Sequence, residues 1–286
     1  MTLTRRQFVV GGAAAVGALV VGADAVFVGA RDIAVRRVEV RLRRLPAALD
    51  GFTIAQLSDF HYSALGDSLL RQAVQLTNQL HPDLVMLTGD FVTVRLWQKR
   101  DPDAAADAEP CAAILAGLRS RHGSFAVLGN HDHFSDSQVV SRSLEDRGIQ
   151  VLRNRSVPIE RDGVRIWIAG VDDVLGGNDD LHLALRGIGD DQAVVLGVHE
   201  PDYAESVKRQ RVDLQLSGHS HGGQVRLPLI GPPFLPPLGR MYPLGLYHLG
   251  TLTLYTNPGI GTIRIPARLN CPPEITLLKL RATQGT

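Results

Sequence analysis

Cysteine is almost missing from this chain: Cys111 and Cys271 are the only two in 286 residues, and they make neither a CxxC pair nor the Cys/His spacing of a structural zinc site. A disulfide-built scaffold is therefore excluded. Two buried free thiols are the expectation, and a single disulfide between them stays open if the chain is exported. An excess of one charge is missing as well, since 30 Lys and Arg face 29 Asp and Glu for a net charge of +1. No nucleic-acid partner is expected, because phosphate-backbone binding usually shows as a clear basic excess. Lysine itself is scarce, with Arg supplying 27 of the 30 basic residues. Disorder is excluded by a composition 44% apolar and 21% charged, which can bury the core of one large domain or two small ones.

What is present begins at the N-terminus. Thr4-Arg5-Arg6-Gln7-Phe8-Val9 leads into an uncharged Gly/Ala/Val run over 8–23, and Ala23-Asp24-Ala25 has the small-x-small form of a cleavage site. The pattern resembles a twin-arginine export signal. With only Asp24 charged over 8–30, the same segment is also about long enough to stay as a membrane anchor. Residues 1–30 are thus expected to be a twin-arginine-like signal or anchor, 31–286 the folded domain, and the location the periplasm or cell envelope. A cytosolic protein with an apolar N-terminal helix is the remaining reading.

Period-2 alternation over 35–42 predicts a strand with one wet face. Further strands are expected over 52–57, 83–88, 124–128, 164–169, 193–198 and 212–216, with two closing strands over 251–255 and 274–280. Leu69, Leu70, Ala73, Val74, Leu76 and Leu80 lie at helical spacing over 67–80, stopped by Pro82. Other helices are expected over 110–121, 136–147 and 202–209, with an exposed loop over 97–109. The stretch 222–250 is rich in Pro, Gly and large apolar residues and has no helical period. No internal repeat is evident.

Five of these strands end on groups that bind metals or move protons. In order they deliver Asp59-x-His61, Gly89-Asp90, Gly129-Asn130-His131-Asp132, His199 and Gly218-His219-x-His221. Open α/β sheets build their sites at such carboxyl ends. Carboxylate, imidazole and amide oxygen without thiolate suit Mn, Fe or Zn. A single histidine of this kind is more often a surface or core residue, so the argument rests on the set. Gly89, Gly129 and Gly218 leave the backbone room to turn just before a ligand.

This order and these spacings resemble the calcineurin-like metallophosphoesterases, from about residue 54 to residue 280. The resemblance implies a four-layered αββα sandwich of the α/β class and two divalent metal ions, Mn, Fe or Zn. Carried over residue by residue, Asp59, His61 and His221 would hold one ion, Asn130, His199 and His219 the other, and Asp90 would bridge them. It further implies a metal-bridging hydroxide that attacks phosphorus, with His131 beside the ions as a non-ligand that donates to the leaving oxygen or stabilises phosphoryl charge, and Asp132 orienting that imidazole. Within the family, His199-Glu200-Pro201-Asp202, Gly218-His219-Ser220-His221-Gly222-Gly223-Gln224-Val225-Arg226 and Asn270-Cys271-Pro272-Pro273-Glu274-Ile275 are most similar to the YkuE/YaeI-like bacterial phosphodiesterase subgroup. That subgroup is envelope-associated. The resemblance implies a phosphodiester or lipid-linked phosphate substrate and membrane association, and leaves a UDP-2,3-diacylglucosamine pyrophosphatase-like hydrolase as the alternative.

Other readings compete at single residues. Gly218-His219-Ser220-His221-Gly222 matches a G-x-S-x-G nucleophile elbow, which would make Ser220 a serine nucleophile, yet no Asp follows it and no helix pattern does either. A non-catalytic, metal-stabilised envelope-binding protein would have no use for a free His131. Arg264 and Arg268 are candidates to clamp a substrate phosphate, as are Arg95, Trp97, Lys99 and Arg100. Residues 227–247 read either as an apolar lip facing membrane or lipid or as a rigid loop packed on its own core. His81, His122, His133, His182 and His248 fit no ligand position.

Overall fold

The structure is a computed structural model that describes residues 29–63, 66–95 and 100–283. The twin-arginine-like stretch and its expected cleavage site, together with Trp97 and Lys99, lie outside the described residues. Among the described residues no helix is long and apolar enough to cross a membrane.

Two mixed six-stranded sheets form the centre. The first runs in the order β1 (Ala34–Leu42), β12 (Glu274–Ala282), β2 (Thr53–Leu57), β3 (Leu84–Thr88), β4 (Ser124–Val127) and β5 (Ile149–Val151). From β2 to β5 the pairing is parallel, and β12 lies antiparallel against β2. The second runs β10 (Gly245–Leu249), β11 (Leu252–Thr256), β9 (Leu214–Ser217), β8 (Ala193–Gly197), β7 (Val164–Gly170) and β6 (Arg155–Arg161). Here β11, β9, β8 and β7 are parallel.

The core is divided into three apolar layers, and the alternation of strand side chains decides which residue enters which. In β3, Leu84 and Met86 point to a layer shared with Ile166, Ile168, Val195, Leu214 and Leu216 of the other sheet. Their neighbours Val85 and Leu87 face the opposite way, onto Leu70 and Val74 of α1 (Asp67–Gln79), Cys111 and Leu115 of α2 (Ala108–Leu115), and Val140 and Leu144 of α4 (Ser137–Glu145), which follows the short α3 (Asn130–Phe134). A third layer joins Val194, Leu196, Leu252 and Leu254 to Ala184 of α5 (Leu181–Ala184) and to Ala204 and Val207 of α6 (Ala204–Val207). Helix, sheet, sheet and helix therefore stack as the expected αββα sandwich. Strands buried on both faces read as continuous apolar runs, and that is why their sequences carry no polar alternation.

Three strands were not among the sequence expectations: β5, β6 and β10. β5 has three residues, and β6 is a half-exposed edge strand interrupted by Pro158, a residue that argues against strand on pattern alone. The helix expected over 110–121 begins earlier, after a 3-10 turn at Pro102–Asp107, and stops at Leu115 before Gly117. The one expected over 202–209 is a 3-10 turn, Pro201–Tyr203, followed by the single turn of α6. Both cysteines are buried free thiols: Cys111 packs in the outer apolar layer, while Cys271 Sγ–H donates to the His221 carbonyl at 3.3 Å.

Candidate metal centre

The carboxyl ends of β2, β3, β4, β8 and β9 converge, and backbone hydrogen bonds tie neighbouring loops together within each sheet. Asp59 N–H donates to Gly89 O at 3.0 Å, and Gly218 N–H donates to His199 O at 2.9 Å. Across the gap, His219 N–H donates to both Asp59 carboxylate oxygens at 3.0 and 3.1 Å. The turns are so sharp that Asp59, His61, Asp90, His219 and His221 all sit in the left-handed region, with φ of 48°, 41°, 57°, 67° and 52°. Asp and His tolerate that region better than most residues, and clusters of such backbone mark functional sites.

Close approach rather than backbone freedom explains two of the glycines. A Cβ on Gly129 would clash with Asp90 Oδ1 and lie 2.8 Å from His199 Cδ2. One on Gly218 would clash with Ser58 Oγ and Asp59 Oδ2.

The side chains come together as sets of potential ligands. Asp59, His61 and His221 form one group, and Asp90, His199 and His219 another, each with its donor atoms within 4.8 Å of one another. Asp90 touches both: its Oδ2 lies 3.5 Å from His61 Nε2 and 3.1 Å from His199 Nε2. His61 Nε2 also faces His221 Nε2 at 3.0 Å, and the latter stands 3.3 Å from Asp59 Oδ1. Asn130 Oδ1 is buried without a hydrogen-bond partner. Lone pairs of carboxylate, imidazole and amide thus face one another where each needs a cation, and the donor set fits divalent ions of intermediate softness.

A further set, His61, Asp90 and His131, brings His131 beside the pair. Its Nδ1, however, accepts from Val94 N–H at 2.9 Å. In the neutral ring the proton must then sit on Nε2.

The remaining ring nitrogens are oriented by the surrounding chain. His199 Nδ1–H donates to the Thr88 carbonyl at 2.6 Å and His219 Nε2–H to the Pro237 carbonyl at 2.8 Å, which leaves the other nitrogen of each ring for an ion, a lone pair in His219 and one that His199 gains on losing its second proton. His61 Nδ1 pairs with Thr93 Oγ1 at 3.1 Å. None of these backbone partners has a side-chain signature that a sequence could display.

Burial sets the charge states of the metal-free site. Burial, aided by neighbouring histidines, pushes His61 and His219 down to about 3, so both are neutral lone-pair donors. Burial likewise lowers His131 and His221. Burial and the nearby Asp90 push Asp59 up to about 6. Against burial, the carboxylates of Asp90, Asp59 and Glu200 hold His199 well above its ordinary value, and His199 and His131 hold Asp90 well below its own.

Two expectations need correction. Asp132 does not orient the His131 imidazole: its carboxylate accepts from the N–H groups of Asp90 at 2.9 Å, Phe91 at 2.8 Å, Val92 at 3.2 Å and Gly129 at 2.9 Å. It clamps the β3 and β4 loops together. Arg268 does not face a substrate either. It is 1% exposed, and its guanidinium donates to the carbonyls of Pro258, Gly259, Gly261 and Cys271.

Arg264, by contrast, lines a cavity of about 400 Å³ together with Asp90, Asn130, His131, His219 and His221, and stacks 4.4 Å above the Phe234 ring. Arg95 pairs with Asp101 at 3.5 Å instead. Ser220 Oγ–H is taken by the Pro243 carbonyl at 2.6 Å, which leaves the nucleophile-elbow reading without a free hydroxyl. The buried carboxyl pair of Asp173 and Glu200, behind His199, has no counterpart among the sequence expectations; Asp172-Asp173 directly after β7 was its available signal.

Comparison with known proteins adds an independent line. The profile of the calcineurin-like phosphoesterase family matches residues 52–223. The uncharacterized metallophosphoesterase YkuE of Bacillus subtilis is 36% identical, over 98% of this chain and 99% of its own. The phosphodiesterase YaeI of Escherichia coli is 33% identical, over 80% of this chain and 82% of its own. A zebrafish transmembrane protein with a metallophosphoesterase domain is 33% identical over 85% of this chain and 56% of its own length.

Proposed function

The chain belongs to the calcineurin-like phosphoesterase family, a family of metal-dependent phosphoester hydrolases, and from that premise we propose that it hydrolyses phosphodiesters at a binuclear divalent-metal centre. The observation that carries the reading is Asp90, whose Oδ2 lies 3.5 Å from His61 Nε2 of one ligand set and 3.1 Å from His199 Nε2 of the other. Asp59, His61 and His221 would hold one ion and Asn130, His199 and His219 the other, with Asp90 within reach of both. Such a pair supplies an acidified water and neutralises phosphoryl charge.

The rest falls to the chain's own residues. With Nδ1 occupied by Val94 N–H, His131 presents an Nε2–H donor even when neutral, and this proton is aimed at the leaving or non-bridging oxygen of the phosphoryl group. Arg264 adds a cation at the cavity wall. A diester is favoured over a monoester because Phe234, Pro233, Ile263 and Ile265 line the same cavity and suit a second esterifying group. The name of YaeI, a phosphodiesterase, points the same way. An envelope location rests on the Arg5-Arg6 pattern, which lies outside the described residues, and on the resemblance to the YkuE/YaeI-like subgroup.

The test is hydrolysis of bis-p-nitrophenyl phosphate and p-nitrophenyl phosphate by the full chain, after chelation and again after adding Mn²⁺. Metal-restored turnover, faster on the diester, is expected. A chelated protein that keeps full turnover, or one that cleaves only the monoester, would overturn the reading.

A further inference from the structure

Between Val225 and Pro233, which line the cavity, the chain carries aliphatic side chains that nothing among the described residues covers. Leu227 N–H donates to Gly231 O, and Gly231 N–H donates back to Leu227 O, both at 2.9 Å. The pair closes a tight reversal with Pro228, Leu229 and Ile230 at its tip. Leu229 is 108% exposed and Ile230 76%. Leu229 also holds φ of +66°, a conformation that favours glycine, so a large aliphatic stands where a side chain is both strained and unburied. Phe234 and Ile265, 51% and 52% exposed, continue this apolar surface into the cavity wall.

The charge around the tip has one sign. From 214 to 273 the chain has no Asp or Glu but four Arg, at 226, 240, 264 and 268. Arg240 and Arg264 are exposed, whereas Arg268 is buried. Acids from outside the stretch are held by it: Asp202 accepts from the N–H groups of Arg240, Met241 and Tyr242, and Glu205 from the Tyr242 hydroxyl. A protein groove would accept the aliphatic tip as well, but a stretch that carries exposed cations and no carboxylate of its own matches a surface dense in phosphate.

We propose that this rim docks on an anionic lipid surface, with Leu229 and Ile230 entering the acyl region and Arg240 and Arg264 at the headgroups. Docking in this pose sets the cavity mouth against the membrane, so an amphiphilic phosphodiester reaches the site without crossing water. That last consequence rests on the phosphodiesterase reading; the docking itself does not.

A local probe is needed, because the N-terminal segment of the full chain can hold the protein on vesicles by itself. The full chain bearing Ile230→Trp is mixed with phosphatidylcholine vesicles with or without phosphatidylglycerol, and its emission is compared with that of the wild type. With anionic vesicles the introduced indole should shift to the blue and be quenched by brominated acyl chains. Adding Leu229→Asp should weaken insertion by roughly tenfold or more, the amount expected for one buried aliphatic side chain, so that about ten times the lipid is needed for the same shift. Water-like emission in protein that sediments with the vesicles would overturn the proposal, as would an equal shift without phosphatidylglycerol. Hydrolysis of a water-soluble diester by Leu229→Asp should match the wild type. If the shift appears but no diester is cleaved, the catalytic reading falls and the docking surface stands.

Discussion

His131 illustrates how one backbone donor decides what a side chain at this site can do. The Val94 N–H takes Nδ1, and burial lowers the ring's proton affinity, so the group acts as a hydrogen-bond donor through Nε2 rather than as a fixed cation. His131→Ala should leave metal content unchanged, as measured by elemental analysis, and reduce kcat by roughly 100-fold or more. Equal turnover would remove His131 from the reaction. Asp132 acts at the same scale but on the backbone. In Asp132→Asn one of two acceptor oxygens becomes a donor facing N–H groups it cannot satisfy. The expected cost is about 1–3 kcal/mol in denaturant unfolding, with metal affinity about 10-fold to 100-fold weaker. Unchanged stability would contradict the clamp.

The elements explain what was legible. Carboxylate, imidazole and amide are types that a sequence displays, and the largely apolar runs of β2, β3, β4, β8 and β9 mark the carboxyl ends at which they stand. What orients those side chains is mostly backbone: the Thr88 and Pro237 carbonyls and the Val94 N–H. Any residue offers these, so no pattern betrays them. Arg268 misled for a related reason, since a basic side chain does not reveal that five donor contacts to carbonyls have consumed it. β6 was hidden by Pro158 and its half-exposed edge. The strand-end glycines carry their own prediction. Gly218→Ala would press a methyl into Ser58 and Asp59, so metal binding should fail and stability fall by about 1–3 kcal/mol, read by elemental analysis and thermal unfolding. Full metal content in that variant would show that the approach is not tight.

For the whole molecule, metal loading, protonation and folding are linked. Asp59 has its folded value raised from 3.8 to about 6, so in the metal-free protein this group disfavours folding as pH rises between those values. Cation binding needs the carboxylate and displaces that proton. His199, held protonated by its carboxylate neighbours, must release one too, whereas His61 and His219, at about 3, have none to give. Metal uptake should therefore release protons at pH 7 and weaken steeply below about pH 6, seen by calorimetry in buffers of different ionisation enthalpy. Uptake without proton release would contradict these charge states. The central claim is that Asp90 joins two ion sites into one reacting centre, and the most direct measurement is metal stoichiometry against diester turnover for the wild type and Asp90→Ala. The account predicts two ions per chain in the active wild type, and loss of both full occupancy and turnover in Asp90→Ala. Full turnover with a single ion, or an active Asp90→Ala, would contradict it.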